Sequence, residues 1–184
     1  MNTRLAVLLT LLLLCASAPS VHAQAGIEWE TLNEEVKSLY RAGKYERAVV
    51  VAKKALEVAE QNAGRDHPDV ATALNNLAAL YEAQGQYAQA EPLYKRSLAI
   101  KEKALGPDHP SVATSLNNLA VLYKTQGQYA QAEPLYKRAL AIKEKALGPD
   151  HPSVATSLEN MAKLYRTMDR AKDCLLYTSP SPRD

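Results

Sequence analysis

The chain repeats itself with a period of 42 residues, and this repetition limits its possible folds more than any other feature. Residues 85–126 and 127–168 are identical at 36 of 42 positions, and residues 43–84 match 85–126 at 21 of 42. Six glycines stand 21 residues apart, at positions 43, 64, 85, 106, 127 and 148. A fixed period of this length is typical of a solenoid, in which each unit buries its apolar face against its neighbours.

Each half of the period has the pattern of an amphipathic helix. In one half, Leu74, Leu77, Ala78 and Tyr81 follow the i, i+3, i+4, i+7 spacing of one helical face. We expect the glycine after each half to end the helix in the left-handed conformation. No segment alternates apolar and polar residues with period two, so the sequence predicts no strand. The predicted helices begin near Trp29, Tyr45, Pro68, Tyr87, Pro110, Tyr129 and Pro152.

These residues resemble a known repeat. The pattern is similar to the tetratricopeptide repeat, and it recurs 42 residues later; it is carried by Leu74, Leu77, Ala78, Tyr81, Gly85, Tyr87, Ala90, Tyr94 and Leu98. The long period, with Leu-Asn-Asn-Leu-Ala and Gly-Pro-Asp-His-Pro, resembles the repeats of kinesin light chains and their bacterial relatives. The resemblance implies an all-α right-handed superhelix of three helical hairpins plus one terminal helix. Its repeats would cover about 29–66, 67–108, 109–150 and, in part, 151–173.

Residues 1–25 are predicted to be a secretory signal peptide, which leaves 26–173 as the repeat domain. Arg4 gives a short positive start, an apolar run extends from Leu5 to Ala18, and small residues at Ala23 or Ala25 fit a cleavage site. The run has 14 positions, whereas a membrane span needs about 20 apolar residues. We therefore expect an exported protein, periplasmic or secreted in a bacterium, that is not held in the membrane after cleavage.

Residues 174–184 lack the helical period and contain two Ser-Pro steps. They resemble the translation of a sequencing adapter, which predicts that the natural chain was cut near Asp173; the alternative is an ordinary tail. The last predicted helix then lacks its partner. We expect its apolar face to be partly uncovered and to offer a surface for self-association; this face consists of Leu158, Met161, Ala162 and Tyr165.

Composition and motifs argue against nucleic-acid binding and against catalysis. The 22 Lys and Arg residues are nearly balanced by 20 Asp and Glu residues, whereas nucleic-acid binders usually have a basic excess. The basic pairs at 95–96 and 137–138 have acidic residues nearby and are interpreted as a solvated helix face. There is no glycine-rich phosphate loop, no His-Glu-x-x-His and no Gly-x-Ser-x-Gly. The sequence therefore predicts neither an enzyme nor a cofactor.

The three histidines of the repeats, His67, His109 and His151, each stand in an Asp-His-Pro step. A shared metal ion would need them about 2 Å from it, whereas packed helices lie about 8–10 Å apart. Helix capping explains the step more simply, since Asp108 or His109 can cap a helix whose first turn contains Pro110. We predict caps and no metal site.

One exposed side of the first helix in each hairpin carries asparagines and charged residues. The resemblance implies that this side lines the concave groove of the superhelix. A carboxamide both donates and accepts hydrogen bonds, so stacked asparagines can hold a peptide backbone whatever its sequence. Alternatively some of them, above all Asn76, only bond to a neighbouring helix. The predicted binding residues are Asn33, Lys37, Asn75, Asn76, Asn117, Asn118, Lys124, Asn160, Lys163 and Arg166; Arg41, Glu82 and Glu159 lie on the same side.

The leading hypothesis is an exported, non-enzymatic scaffold that binds a peptide or protein segment in this groove, with lysines that favour an acidic partner. A second hypothesis makes the repeats the recognition arm of a longer protein with a C-terminal effector, such as a caspase-like peptidase domain, because the resembling bacterial repeats are often followed by one. The third is self-association through the last helix.

Overall fold

The computed structural model describes residues 21–168 of the 184, with side chains from Glu28 onward. Within that range the protein consists of seven α-helices and contains no strand. The helices are α1 (Val21–Arg41), α2 (Tyr45–Ala63), α3 (Pro68–Ala83), α4 (Tyr87–Leu105), α5 (Pro110–Thr125), α6 (Tyr129–Leu147) and α7 (Pro152–Thr167). The predicted all-α repeat architecture is confirmed.

Six of the seven helices begin at the predicted residue, and α1 does not. It begins at Val21, well before the expected start at Trp29. The intervening segment contains Ala23, Gln24 and Ala25, which are good helix formers, and only Gly26 weakens it. Most of the predicted signal peptide and all of 174–184 lie outside the described residues, so both remain predictions.

The histidines cap the helices as predicted. Nδ1 of His109 accepts a hydrogen bond from the backbone N–H of Ser111 at 3.1 Å, and His67 and His151 make the equivalent bond before α3 and α7. Pro110 occupies the first turn of α5, where its missing N–H costs nothing. Asp108, the other predicted cap, instead forms an ion pair with Lys145 at 2.7 Å. The Asp-His-Pro step therefore starts a helix.

The glycines between helices all have positive φ, but they are not all left-handed helical. Gly85, inside a hairpin, has φ 72°. Gly106, between hairpins, has φ 88° and ψ 155°, a backbone region that is essentially restricted to glycine. The prediction of a left-handed helix end is therefore wrong for Gly106, although the need for glycine there is real.

The hairpins pack side by side, and each helix contacts only nearby helices of the chain. Within a hairpin, Ala78 of α3 and Ala90 of α4 are both fully buried, which lets the two backbones approach closely. Around them Leu74, Leu80 and Tyr94 fill the space and are at most 2% exposed. One apolar core runs through successive hairpins, so each repeat depends on its neighbours for burial.

The face of α7 is less exposed than predicted. Met161, Ala162 and Tyr165 are at most 4% exposed, and only Leu158 is half-buried. The Tyr165 hydroxyl donates to Glu133 of α6 at 3.1 Å, so this side of α7 is turned towards the preceding hairpin. The expectation of a bare face is therefore wrong for three of its four residues.

Candidate functional site

The predicted binding side of α1, α3, α5 and α7 forms a surface with two depressions. The first has a volume of about 200 Å³ and is lined by Val36, Lys37, Tyr40, Arg41, Asn76 and Ala79. The second has a volume of about 380 Å³ and is lined by Tyr40, Ala79, Glu82, Ala83, Tyr94, Asn118, Val121 and Thr125. We call this surface the groove. Its floor mixes aliphatic, aromatic, carboxamide and charged groups from successive hairpins.

The asparagines of the groove bond to one another between hairpins. Nδ2 of Asn118 in α5 donates to Oδ1 of Asn75 in α3 at 2.9 Å. The same bond, at the same distance, joins Asn76 to Asn33 and Asn160 to Asn117. We call these three bonds the asparagine ladder. The bond to a neighbouring helix that the alternative interpretation predicted for some asparagines is thus present in every pair, and the binding role of these residues stays a prediction.

The ladder leaves hydrogen-bonding capacity unused. A carboxamide has two N–H donors and an oxygen with two lone pairs, and each ladder bond uses only one donor and one lone pair. Asn75, Asn76, Asn117, Asn118 and Asn160 are half-buried, and these retain part of their surface. Asn33, in contrast, is only 5% exposed, so it serves mainly to position Asn76.

The predicted basic residues are spread along the groove and do not form one cluster. Lys37 lines the first depression and pairs with Glu34 of the same helix at 2.6 Å. Lys163 pairs with Glu159 at 2.8 Å, and each lysine holds the pKa of its carboxylate below the usual value. The predicted residues outside both depressions are Asn33, Asn75, Asn117, Lys124, Asn160, Lys163 and Arg166.

The sequence prediction missed two tyrosines of the groove, Tyr40 and Tyr94. The side chain of Tyr94 comes from α4, passes through the core and donates its hydroxyl hydrogen to Oε2 of Glu82 at 2.8 Å. Burial raises the pKa of Glu82, and burial together with this carboxylate raises the pKa of Tyr94. Periodicity assigned Tyr94 to the inner face of its helix, and spacing alone does not reveal that its far end reaches the groove.

The next hairpin lacks the equivalent pair. Lys124 stands where the preceding repeat has Glu82, and an ammonium group cannot accept a hydrogen bond. The Tyr136 hydroxyl, which corresponds to that of Tyr94, is buried and has no hydrogen-bond partner in the described part of the chain. One substitution in the repeat therefore changes the charge of the groove and leaves a buried donor unsatisfied.

Among the side chains of residues 28–168, no three His, Cys, Asp or Glu residues form a group that could hold a metal ion. In the same range every helix is too short or too polar to cross a bilayer.

A model of the tetratricopeptide repeat matches residues 30–103, 69–145 and 126–173, which together span most of the chain. The chain belongs to the tetratricopeptide repeat family. Proteins of this family act as protein–protein interaction scaffolds, bind protein partners and are generally not enzymes. The resemblance to this repeat that was seen in the sequence is thereby confirmed.

Solved structures show the same fold in kinesin-light-chain-like proteins. BtubC (BKLC) from P. vanneervenii is 23% identical, with a TM-score of 0.74 over 85% of this chain and 67% of that chain. A kinesin-light-chain-like protein of P. anserina with nearly identical TPR-like repeats is 26% identical, with a TM-score of 0.74 over 80% of this chain and 70% of its own. A structure outside that group also has this fold: aspartyl phosphate phosphatase F from Bacillus subtilis is 17% identical, with a TM-score of 0.72 over 87% of this chain and 39% of that chain.

Proposed function

We propose that this tetratricopeptide repeat protein is an exported, non-enzymatic scaffold that binds an extended segment of a partner protein in the groove. The asparagine ladder is the observation that carries the proposal. It joins half-buried carboxamides on α3, α5 and α7, the first helices of successive repeats, and we infer that their unused donors and acceptors are available to a partner at this surface. Export rests on the predicted signal peptide in residues 1–25.

The ladder bonds favour this use because they fix the side chains in advance. A free asparagine loses rotamer entropy when it binds a ligand, which costs about 0.5–1.5 kcal/mol per immobilised side chain. Asn75 and Asn118 are already held by their mutual bond of 2.9 Å, so most of that cost is met on folding. Backbone amides of an extended segment present alternating donors and acceptors, which a row of carboxamides matches without regard to sequence.

The charges of the groove favour a partner with acidic residues. Lys37 and Arg41 line the first depression, and Lys124, Lys163 and Arg166 continue along α5 and α7. Glu34 and Glu159 offset Lys37 and Lys163 at 2.6 and 2.8 Å, which leaves Arg41, Lys124 and Arg166 in excess over Glu82. A surface with this balance attracts negative charge and speeds encounter at low ionic strength.

The test is to capture partners with residues 26–173 and to measure how tightly they bind variants. Replacing Asn75 and Asn117 by alanine removes two of the three ladder bonds and the free groups of these two carboxamides. The Asn75→Asp, Asn117→Asp variant keeps an acceptor for Asn118 and Asn160 but removes the N–H donors. We expect each double variant to bind at least about tenfold more weakly, which corresponds to about 1.4 kcal/mol.

Asn62→Asp is the matched control, because it makes the same chemical change at an exposed residue that lines neither depression. Unchanged affinity in both double variants would refute the assignment of the groove. The recognition-arm hypothesis concerns chain beyond Asp173 and stays a prediction.

A further inference from the structure

Among the described residues, Glu82 differs from the other two carboxylates of the groove in having no ion-pair partner. Glu34 pairs with Lys37, and Glu159 pairs with Lys163. Glu82 is half-buried, and its carboxylate accepts a hydrogen bond from the Tyr94 hydroxyl, an uncharged donor. Its pKa is raised by burial, and no neighbouring lysine or arginine opposes that effect. A carboxylate removed from water without a counter-charge is costly to the fold, so stability does not explain it.

The surroundings of this carboxylate form a cavity rather than a packed core. Glu82 lines the depression of about 380 Å³ together with Tyr40, Tyr94 and Val121. Tyr40 is 43% exposed, and its ring is held edge-on against Tyr45 with the centroids 5.6 Å apart. Aliphatic and aromatic walls with a carboxylate among them suit a long apolar stem that ends in a positive charge, since cations are attracted to ring faces.

A second buried polar group near the same carboxylate, the Tyr136 hydroxyl, has no hydrogen-bond partner among the described residues. Burial raises the pKa of this hydroxyl, and the charge of the nearby Glu82 carboxylate raises it further. The carboxylate thus lies near two tyrosine hydroxyls, of which only Tyr94 donates to it. Buried donors without partners are uncommon in folded proteins and call for an explanation.

The repeat shows that this negative charge is confined to one hairpin. The position of Glu82 is occupied by Tyr40 in α1, by Lys124 in α5 and by Arg166 in α7. Cations therefore flank the cavity along the groove, with Lys37 and Arg41 on one side and Lys124 on the other. Negative charge at the centre and positive charge on both sides define a pattern that a partner can match.

We propose that the cavity at Glu82 takes the side chain of a lysine or arginine of the bound segment, which is flanked there by acidic residues. This inference rests on the proposed function for its biological ligand. The asparagines of the groove would contact only the backbone of the bound segment, whereas the cavity would select for one of its side chains. The charged end pairs with the Glu82 carboxylate, and the stem lies against Tyr40 and Val121.

The cavity is tested first without any peptide, by titrating n-butylammonium into the ¹⁵N-labelled domain and following amide resonances. We expect saturable shifts at residues that line the cavity, such as Ala79, Ala83 and Val121. n-Butanol, which has the same stem without the charge, should cause little shift. Glu82→Gln keeps an oxygen that accepts from Tyr94, and it should weaken butylammonium binding at least fivefold. Glu46→Gln, the same change at an exposed residue of α2 that lines neither depression, should leave it unchanged.

Equal shifts from n-butanol, or unchanged butylammonium binding in Glu82→Gln, would overturn the inference. A second experiment compares two acidic peptides that differ only in a central lysine or norleucine. Wild type should prefer the lysine peptide at least fivefold, and Glu82→Gln should lose that preference. If both peptides bind equally, the groove function stands and the cavity assignment fails. If neither binds while butylammonium does, the cavity stands and the peptide-binding function fails.

Discussion

The hairpins α3–α4 and α5–α6 share one packing scheme but present opposite charges to the groove. Leu74 and Leu116 are both fully buried, and so are Ala78 and Ala120. At the groove, however, a glutamate in α3 is replaced by Lys124 in α5. Positions that fill space between helices tolerate little change, whereas groove positions can vary without altering the packing between helices. The comparison separates residues that build the repeat from residues that give each repeat its own surface.

The largest effect is expected from overpacking the contact between paired helices. Ala78→Leu in α3 and Ala120→Leu in α5 each place a large side chain where the wild-type residue is fully buried. We expect each variant to lose about 2–3 kcal/mol of unfolding free energy, measured by urea denaturation. The two losses should be similar because the packing is shared. A loss confined to one hairpin would show that the scaffolds differ.

A smaller and unequal effect is expected from removing the tyrosine hydroxyls. Tyr94→Phe takes away the donor that Glu82 accepts at 2.8 Å, so we expect a loss of about 1 kcal/mol. Tyr136→Phe removes a buried hydroxyl that has no partner, so stability should be unchanged or rise by up to about 1 kcal/mol. Thermal unfolding measures both. Equal losses would mean that Tyr136 has a bond that the structure does not show.

The smallest effect is the pH dependence of stability at Glu82. Its pKa is raised in the folded state above the usual 4.5, so the folded protein binds this proton more tightly than the unfolded chain does. The resulting stabilisation is present below pH 4.5 and is lost as the pH rises through the folded-state pKa. Glu82→Gln removes the desolvated charge, so at pH 7 it should be more stable than wild type, by less than the about 1 kcal/mol expected for Tyr94→Phe. The gain should shrink on acidification. A gain that is independent of pH would contradict this account.

The sequence predicted the positions of the helices better than the interactions between them. Helix starts such as Tyr87 and Pro110 follow from local glycine, proline and capping residues, and they were predicted correctly. Asn75 and Asn118 were placed on the right side of their helices, but the bond between them depends on how neighbouring hairpins align. That alignment is set by packing between repeats, and the periodicity of residues within one helix gives no information about it.

The hydrogen-bond partners of the site show the same limit of sequence analysis. The sequence placed Glu82 on the groove side, but its partner Tyr94 comes from the second helix of the hairpin. The error at α7 has a related origin, since the hydroxyl of Tyr165 reaches Glu133 of the preceding hairpin. In each case a long side chain crosses from one helix to another, and only the three-dimensional arrangement shows where it ends.

In α3 and in α5, one of the two adjacent asparagines bonds to the preceding hairpin and the other bonds to the following repeat. In α3, Asn76 reaches back to Asn33 while Asn75 receives Asn118 from the hairpin that follows. Each repeat of this kind therefore carries both a donating and an accepting asparagine. If one copy were inserted into or deleted from the middle of the array, the repeats that become neighbours could form the same bonds. Duplication or loss of the corresponding gene segment would thus lengthen or shorten the proposed binding groove in whole steps of one hairpin.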